Sequence, residues 1–260
     1  MITFIYVVIV LIATTLGSAI GLGGGVIIKP LFDLIGAADT ATISLYSSMA
    51  VFTMSVVSIY KQYKNKAKFE LPIVITLAIG SILGGIVGDE LFFRLYSHVG
   101  EIIKVIQNGC LAAVLLLVLQ YTLNREKIKT HKLKNPIIIF LIGFLLGNIS
   151  VFLGIGGGPL NLAILSFFFS YTTKESVVLS LVIIFFSQLS KLITTFVKNS
   201  FLPYDLSVVP YILVAAIVGG LIGSVIYKKL THKQLDLMYV GTVGFLILLS
   251  IYNMISTLVL

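Results

Sequence analysis

The sequence predicts an all-α integral membrane protein made of two inverted repeats, each beginning with a glycine-turn hairpin. Three observations carry that prediction. The 260 residues are 58% hydrophobic and only 11% charged, with a mean hydropathy of +1.10, whereas a soluble domain carries about 25% charged residues. Apolar stretches of bilayer length recur along the whole chain, which a single anchor or a cleaved signal peptide does not explain. Two glycine runs, Gly21-Leu22-Gly23-Gly24-Gly25 and Gly154-Ile155-Gly156-Gly157-Gly158, interrupt such stretches at matching places.

A span needs about 20 apolar residues. Spans are expected near 2–20, 41–60, 72–93, 102–122, 136–153, 176–197, 208–227 and 236–258, about eight in all. Two shorter apolar pieces, 26–36 and 159–170, follow the glycine runs. At their length each crosses roughly half a membrane.

The two halves match in order and spacing. Gly21–Gly25 recurs 133 residues later as Gly154–Gly158, and Gly84-Gly85-Ile86-Val87-Gly88 recurs 135 residues later as Gly219-Gly220-Leu221-Ile222-Gly223. Residues 1–122 form the first repeat, with a hairpin over 2–36 and three spans. Residues 123–135 are a basic linker. Residues 136–260 form the second repeat, with a hairpin over 136–171 and three spans.

Charge sets the orientation. Twelve of the 18 Lys and Arg fall in Lys61–Lys68, Arg125–Lys134 and Lys228–Lys233. Basic loops stay in the cytoplasm, so 61–70, 123–135 and 228–236 are expected inside. The segment 94–101, with Glu101 and the preceding Asp89 and Glu90, and the near-neutral 198–207 are expected outside. Equivalent loops then lie on opposite sides, which makes the repeats inverted and puts both termini outside. The net charge of +8 is read as membrane orientation and not as nucleic-acid binding. Cys110 is the single cysteine, so no internal disulfide forms.

Non-helical backbone at membrane depth is tolerated only where it is buried in protein or lines a wet cavity. A glycine turn followed by a half-helix presents amide N–H groups at the positive end of a helix dipole, and an anion is their natural ligand. Gly21, Gly23, Gly24 and Gly25, with Gly154, Gly156, Gly157 and Gly158, are therefore candidate substrate-binding residues. Pro159 fits the first position of the second half-helix; Pro30 lies later and kinks or tightens the first. Lys191 and Gln188 share one face of the span 176–197, and an ionisable residue at depth is a functional candidate. The alternative for Lys191 is snorkelling to the outer headgroups. Asn148 precedes the second glycine run and can line the same cavity. Ser47, Ser48, Ser55, Lys29 and Ser187 are secondary candidates, with helix packing as the rival role for the serines and an outer-surface position for Lys29. The small-residue ridges at Gly80, Gly84, Gly88 and at Gly219, Gly223 are expected to pack helices closely.

A nucleotide loop is excluded by pattern. The third glycine position of G-x-G-x-x-G is Val26 in the first run and Pro159 in the second, and no Lys-Ser/Thr follows as in a P-loop. No catalytic base, metal-ligand set or cofactor motif is found at depth. His98, His131 and His232 all fall in or beside loops, and no intramembrane Asp or Glu pair is expected.

The doubled glycine segments, Leu16-Gly17-Ser18-Ala19-Ile20-Gly21-Leu22-Gly23-Gly24-Gly25 with Pro30, and Leu146-Gly147-Asn148 with Gly154-Ile155-Gly156-Gly157-Gly158-Pro159, resemble those of the TauE/SafE family of membrane transporters. The resemblance covers essentially the whole chain. It implies a multi-pass protein of the cytoplasmic membrane that exports sulfite or small organosulfonates. Both are compact oxyanions suited to backbone N–H groups, although no arginine is expected at depth for bidentate recognition. The partners implied are a small anion and the lipid bilayer, with no nucleic acid; assembly with further copies of the chain stays open. The alternatives are an anion channel or accessory membrane subunit and an intramembrane enzyme. Saturable flux and counter-transport distinguish a carrier from a channel.

Overall fold

A computed structural model describes residues 2–64, 70–197 and 205–259. Ten α-helices and no strand are present among them: α1 (Ile2–Ile20), α2 (Gly25–Ile35), α3 (Thr40–Lys64), α4 (Leu71–Val99), α5 (Ile103–Asn124), α6 (Pro136–Leu153), α7 (Gly158–Phe169), α8 (Thr173–Val197), α9 (Val209–Lys229) and α10 (His232–Val259). The expected half-helices are α2 and α7. Seven stretches among the described residues are long and apolar enough to cross a membrane. One of them, Leu71–Lys127, runs for 57 residues and holds both α4 and α5. It breaks at Gly100, whose φ is +58°. Much of the basic segment 61–68 and most of the loop 198–207 lie outside the described residues.

Local chemistry sets the helix ends. α6 opens with Pro136 at its first position and Asn135 Oδ1 accepting from the Ile137 amide at 2.9 Å. At the start of α8, Glu175 accepts from the Thr172 amide at 2.8 Å and Thr172 Oγ1 accepts from the Glu175 amide at 3.4 Å, a reciprocal cap. Asp39 caps α3 by accepting from the Thr42 amide at 2.9 Å. Pro30 sits inside α2, and its carbonyl accepts from Asn253 Nδ2 of α10 at 2.7 Å.

The two halves interlock. α4 packs on α6 and α8, while α9 packs on α1 and α3; α3 meets α8, and α5 meets α10. The small-residue ridges permit this. A Cβ on Gly84 would lie 1.9 Å from the Phe144 carbonyl oxygen, and one on Gly147 would lie 2.2 Å from that of Ser81. On the opposite seam, a Cβ on Gly223 would lie 2.3 Å from the Thr15 carbonyl oxygen. A side chain at any of these positions would force backbones apart. Side chains such as Leu117, Val214 and Leu248 point outward from the bundle and are 62–70% exposed, as a lipid-facing surface requires.

Candidate functional site

The two glycine runs adopt the same backbone. Gly21, Gly23 and Gly24 have φ of +73°, +82° and +68°; Gly154, Gly156 and Gly157 have +68°, +81° and +70°. These left-handed angles favour glycine. The turns pack directly against one another. A Cβ on Gly25 would lie 2.6 Å from the Ile155 carbonyl oxygen, and one on Gly158 would lie 2.1 Å from that of Leu22. Leu22 and Ile155 are themselves 133 residues apart, so the contact is reciprocal. Both turns are buried throughout.

Hydroxyl groups hold the turn carbonyls in matching fashion. Ser180 Oγ donates to the Gly21 carbonyl at 2.8 Å, and Ser47 Oγ donates to the Gly154 carbonyl at 3.1 Å. Asn161 Nδ2 donates to Ser180 Oγ at 3.3 Å, which links α7 to the first turn.

Charge gathers at the second turn. A Cβ on Gly154 would meet Ser44 Oγ at 2.6 Å and the Lys29 side-chain carbons Cδ and Cε at 3.1 and 3.3 Å. Lys191 Nζ donates to the same Ser44 Oγ at 2.5 Å and to the Ser44 carbonyl at 3.3 Å. Lys29 and Lys191 are only 2% and 3% exposed. Lys191 therefore turns inward across the bundle instead of extending to the helix end. Its ammonium also lies 5.9 Å from the centre of the Phe92 ring. Lys29 does not face the outer surface: it pairs with Asp33 at 2.8 Å, both side chains buried.

Gln188 and Ser187 reach the second turn through Ser150. Gln188 Nε2 donates to Ser150 Oγ at 3.4 Å, Ser187 and Ser150 hydroxyls lie 3.2 Å apart, and a Cβ on Gly157 would lie 2.9 Å from Ser150 Cβ. The remaining candidates make their bonds elsewhere, although Ser48 shares the Ser44 carbonyl with Lys191. Ser48 and Ser55 donate to carbonyls of their own helix, those of Ser44 and Phe52, both at 2.7 Å. Asn148 is half-buried, and its carbonyl oxygen comes within 2.4 Å of a Cβ built on Gly88.

Two carboxylates are buried inside the helical bundle. Asp89 is fully buried in α4, which continues to Val99, and accepts from Thr194 Oγ1 at 3.0 Å. Gly88 seats this part of α4 on α6 and carries Asp89 inward. Asp33 is the second buried carboxylate. Its sequence signal was the Lys29–Asp33 spacing of four on a short helix, which places the two side chains on one face. Ser44, Ser150, Asn161 and Ser180 carried no signal beyond that of ordinary packing residues.

Toward the end of the bundle that holds Arg125 and His232, a vestibule opens between α5, α7, α8 and α10. Its outer chamber, about 360 Å³, is lined by Arg125, Ser166, Tyr171, Thr172, Thr173 and His232. A narrower recess of about 20 Å³ continues inward past Asp236 to Leu162, Ser176 and Tyr239; it holds about one water. Burial, reinforced by the charges of Glu70 and Glu175, pushes the Tyr171 phenol at the rim up to about 12.

The amino-acid sequence matches a known family. The model of the sulfite exporter TauE/SafE family aligns with residues 6–252. The chain belongs to that family. It is 27% identical over 257 residues to the probable membrane transporter protein YunE of Bacillus subtilis, covering 89% of this chain and 90% of that protein. It is 26% identical over 254 residues to the probable membrane transporter protein MJ0441 of Methanocaldococcus jannaschii, covering 92% of this chain and 91% of that one. No solved structure matches it. This TauE/SafE protein is thus a multi-pass membrane transporter and not an enzyme.

Proposed function

We propose that this TauE/SafE protein is a secondary transporter of small oxyanions, with export of sulfite or small organosulfonates across the cytoplasmic membrane as its activity. The observation that carries this reading is the convergence of two buried lysines, Lys29 and Lys191, on Gly154. Two buried cations beside a glycine turn form a strong field for an anion. Ser44, whose Oγ accepts from Lys191, adds a hydroxyl donor at the same place, and Ser47 holds the Gly154 carbonyl. With Asp33 on Lys29 and the glycine turns pressed together, the site is closed. An anion enters when the turns part, and its charge then takes over the role of Asp33 toward Lys29. Asp33 and Asp89 are also proton acceptors next to the lysines, which supports coupling to protons.

The two halves are read as related by an approximate two-fold axis, with the basic loops in the cytoplasm. The reciprocal Gly25–Ile155 and Gly158–Leu22 contacts support this. Alternating access then exposes the turns first to one side and then to the other.

The test is a counterflow screen of purified protein in proteoliposomes against sulfite, sulfate, thiosulfate, sulfoacetate and simple carboxylates. Saturable exchange of sulfite or sulfoacetate is the expected result. Exchange confined to carboxylates would remove the sulfur-oxyanion reading, and non-saturating flux would replace the carrier by a channel.

A further inference from the structure

Arg125 lies at the end of α5, outside the glycine turns and their lysines. Its guanidinium grips the Asp236 carboxylate with both ends of its fork: Nη1 donates to Oδ1 at 3.0 Å, and Nη2 donates to Oδ2. Thr173, the first residue of α8, completes the cluster. Its hydroxyl accepts from Arg125 Nη1 at 3.2 Å and donates to Asp236 Oδ1 at 2.9 Å. Arg125 and Asp236 are 34% and 24% exposed, and Arg125 lines the outer chamber, so a solute there can reach the guanidinium. Arg125 and Thr173 line both that chamber and the recess behind it, and Asp236 lines the recess.

The inner wall of the recess backs onto the first glycine turn. Leu162 lines it, and a Cβ on Gly21 would lie 3.1 Å from Leu162 Cδ1. Ser176, another lining residue, precedes Val177, whose Cα would lie 2.8 Å from the same Cβ. The chamber of about 360 Å³ has room for a small oxyanion, whereas the recess of about 20 Å³ has room for about one water. An anion moving from one to the other meets this cluster and needs a wider recess.

We propose that the Arg125 vestibule is an entry subsite for the transported oxyanion. A sulfonate, sulfite or carboxylate group there replaces the Asp236 carboxylate on the Arg125 fork. The carboxylate of Asp236 is a built-in stand-in: it presents two oxygens in the geometry that a planar guanidinium selects. Once displaced, it no longer ties the start of α10 to α5 and α8, and the route to Gly21 widens. A related tie holds the start of α3, where Thr40 Oγ1 donates to Glu101 Oε2 at 2.6 Å and Glu101 pairs with Lys104 at 3.1 Å. Thr40 and Thr173 are 133 residues apart, and Glu101 and Asp236 are 135 apart. Only the Asp236 tie uses an arginine fork. The proposal rests on the anion-transport reading.

The test places a cysteine at Ser166, which lines both chambers, in the full chain carrying Cys110→Ser. Proteoliposomes are treated from the side of the basic loops with a sulfonate-bearing or a trimethylammonium-bearing methanethiosulfonate. The sulfonate reagent should react faster than the cationic one. Asp236→Asn should raise the sulfonate rate several-fold, Arg125→Gln should abolish or reverse the preference, and Arg125→Lys should fall between. Sulfoacetate should protect the cysteine only when Arg125 is present. The double variant Arg125→Gln/Asp236→Asn, with no charge left unpaired, shows whether the loss reflects folding. A reagent preference indifferent to Arg125→Gln, or absence of protection by sulfoacetate, overturns the proposal. Charge-selective labelling without any anion flux would instead overturn the transport reading and leave the vestibule as an anion-binding site.

Discussion

At the first glycine turn, Gly21 faces Leu162 and Val177; at the second, Gly154 faces Lys29 and Ser44, the residues 133 places earlier. The backbones of the turns agree to within 5° in φ at each matched glycine. The same contrast continues outward. Ser58, the counterpart of Lys191 at the same spacing, sits 2.7 Å from Ser18 in a neutral hydroxyl cluster that also holds Ser224 at 3.2 Å. The repeated part is the geometry that lets two turns touch. The unrepeated part is the charge. A glycine turn by itself therefore does not mark where an anion is held, and the ligand chemistry belongs to the side chains that only one half supplies.

The most severe way to probe this contrast is to remove the charge from one side. Lys29→Met leaves Asp33 buried without its cation, and breaking a buried ion pair on one side costs about 3–5 kcal/mol. Thermal unfolding of the purified protein should show that loss. Lys29→Met/Asp33→Leu should recover stability without recovering sulfite binding. The counterpart change, Leu162→Met, keeps volume and polarity and should cost less than about 1.5 kcal/mol. Equal losses at positions 29 and 162 would show that the two sides are not chemically distinct.

Reading the chain from sequence reached the elements and missed part of the chemistry, for one physical reason. Helices, half-helices and glycine turns follow from hydropathy and from glycine itself, so α1, α2, α6 and α7 fall on the apolar pieces 2–20, 26–36, 136–153 and 159–170. Lys191 and Gln188 were legible because polar groups within an apolar span are conspicuous. Asp89 was not: beside Glu90 and near the expected end of a span, it reads as the start of an outside loop. Its burial depends on Gly88 seating α4 against α6, a contact between residues 60 positions apart (Gly88 and Asn148) that no local pattern announces. Ser44 was passed over for Ser47 and Ser48, although its hydroxyl is the one that meets Lys191. Which face of a uniformly apolar helix points inward is a tertiary fact.

The reciprocal contact between the turns should behave alike from both sides. Gly158→Ala brings a Cβ to 2.1 Å from the Leu22 carbonyl oxygen, and Gly25→Ala brings one to 2.6 Å from that of Ile155. Each should destabilise by about 1–3 kcal/mol through overpacking, with Gly158→Ala the worse. Melting temperatures of the two variants measure it. A neutral result at one position and a loss at the other would break the reciprocity on which the two-fold relation rests.

Anion affinity sharpens the comparison without disturbing the backbone. Lys191→Gln should weaken sulfite binding by about 1–3 kcal/mol, the scale of a charge-assisted hydrogen bond. Lys191→Arg should retain part of the affinity and alter selectivity, because a planar fork places its donors differently. Ser58→Ala, at the matching place in the first half, should leave affinity unchanged. Isothermal titration of all three variants decides the point, and a wild-type dissociation constant for Lys191→Gln would take Lys191 out of the site.

The smallest effects separate scaffold from site most finely. Ser47 and Ser180 do the same work on the backbone, each donating to the first carbonyl of its partner turn. Replacing either with alanine leaves a buried carbonyl without that donor, at a cost of about 1 kcal/mol. Ser180→Ala should cost somewhat more, because Asn161 also loses the acceptor for its Nδ2 and its Oδ1 already lacks a partner among the described residues. For anion binding the order should invert. Ser47 lies on the turn that meets Lys29 and, through Ser44, Lys191, whereas Ser180 lies on the turn that meets Leu162 and Val177. Ser47→Ala should therefore lower sulfite affinity while Ser180→Ala leaves it near wild type, even though Ser180→Ala is the less stable protein. Affinity that follows stability in both variants would mean that the turns serve the ligand equally, and that the lysines on one side do not define where it sits.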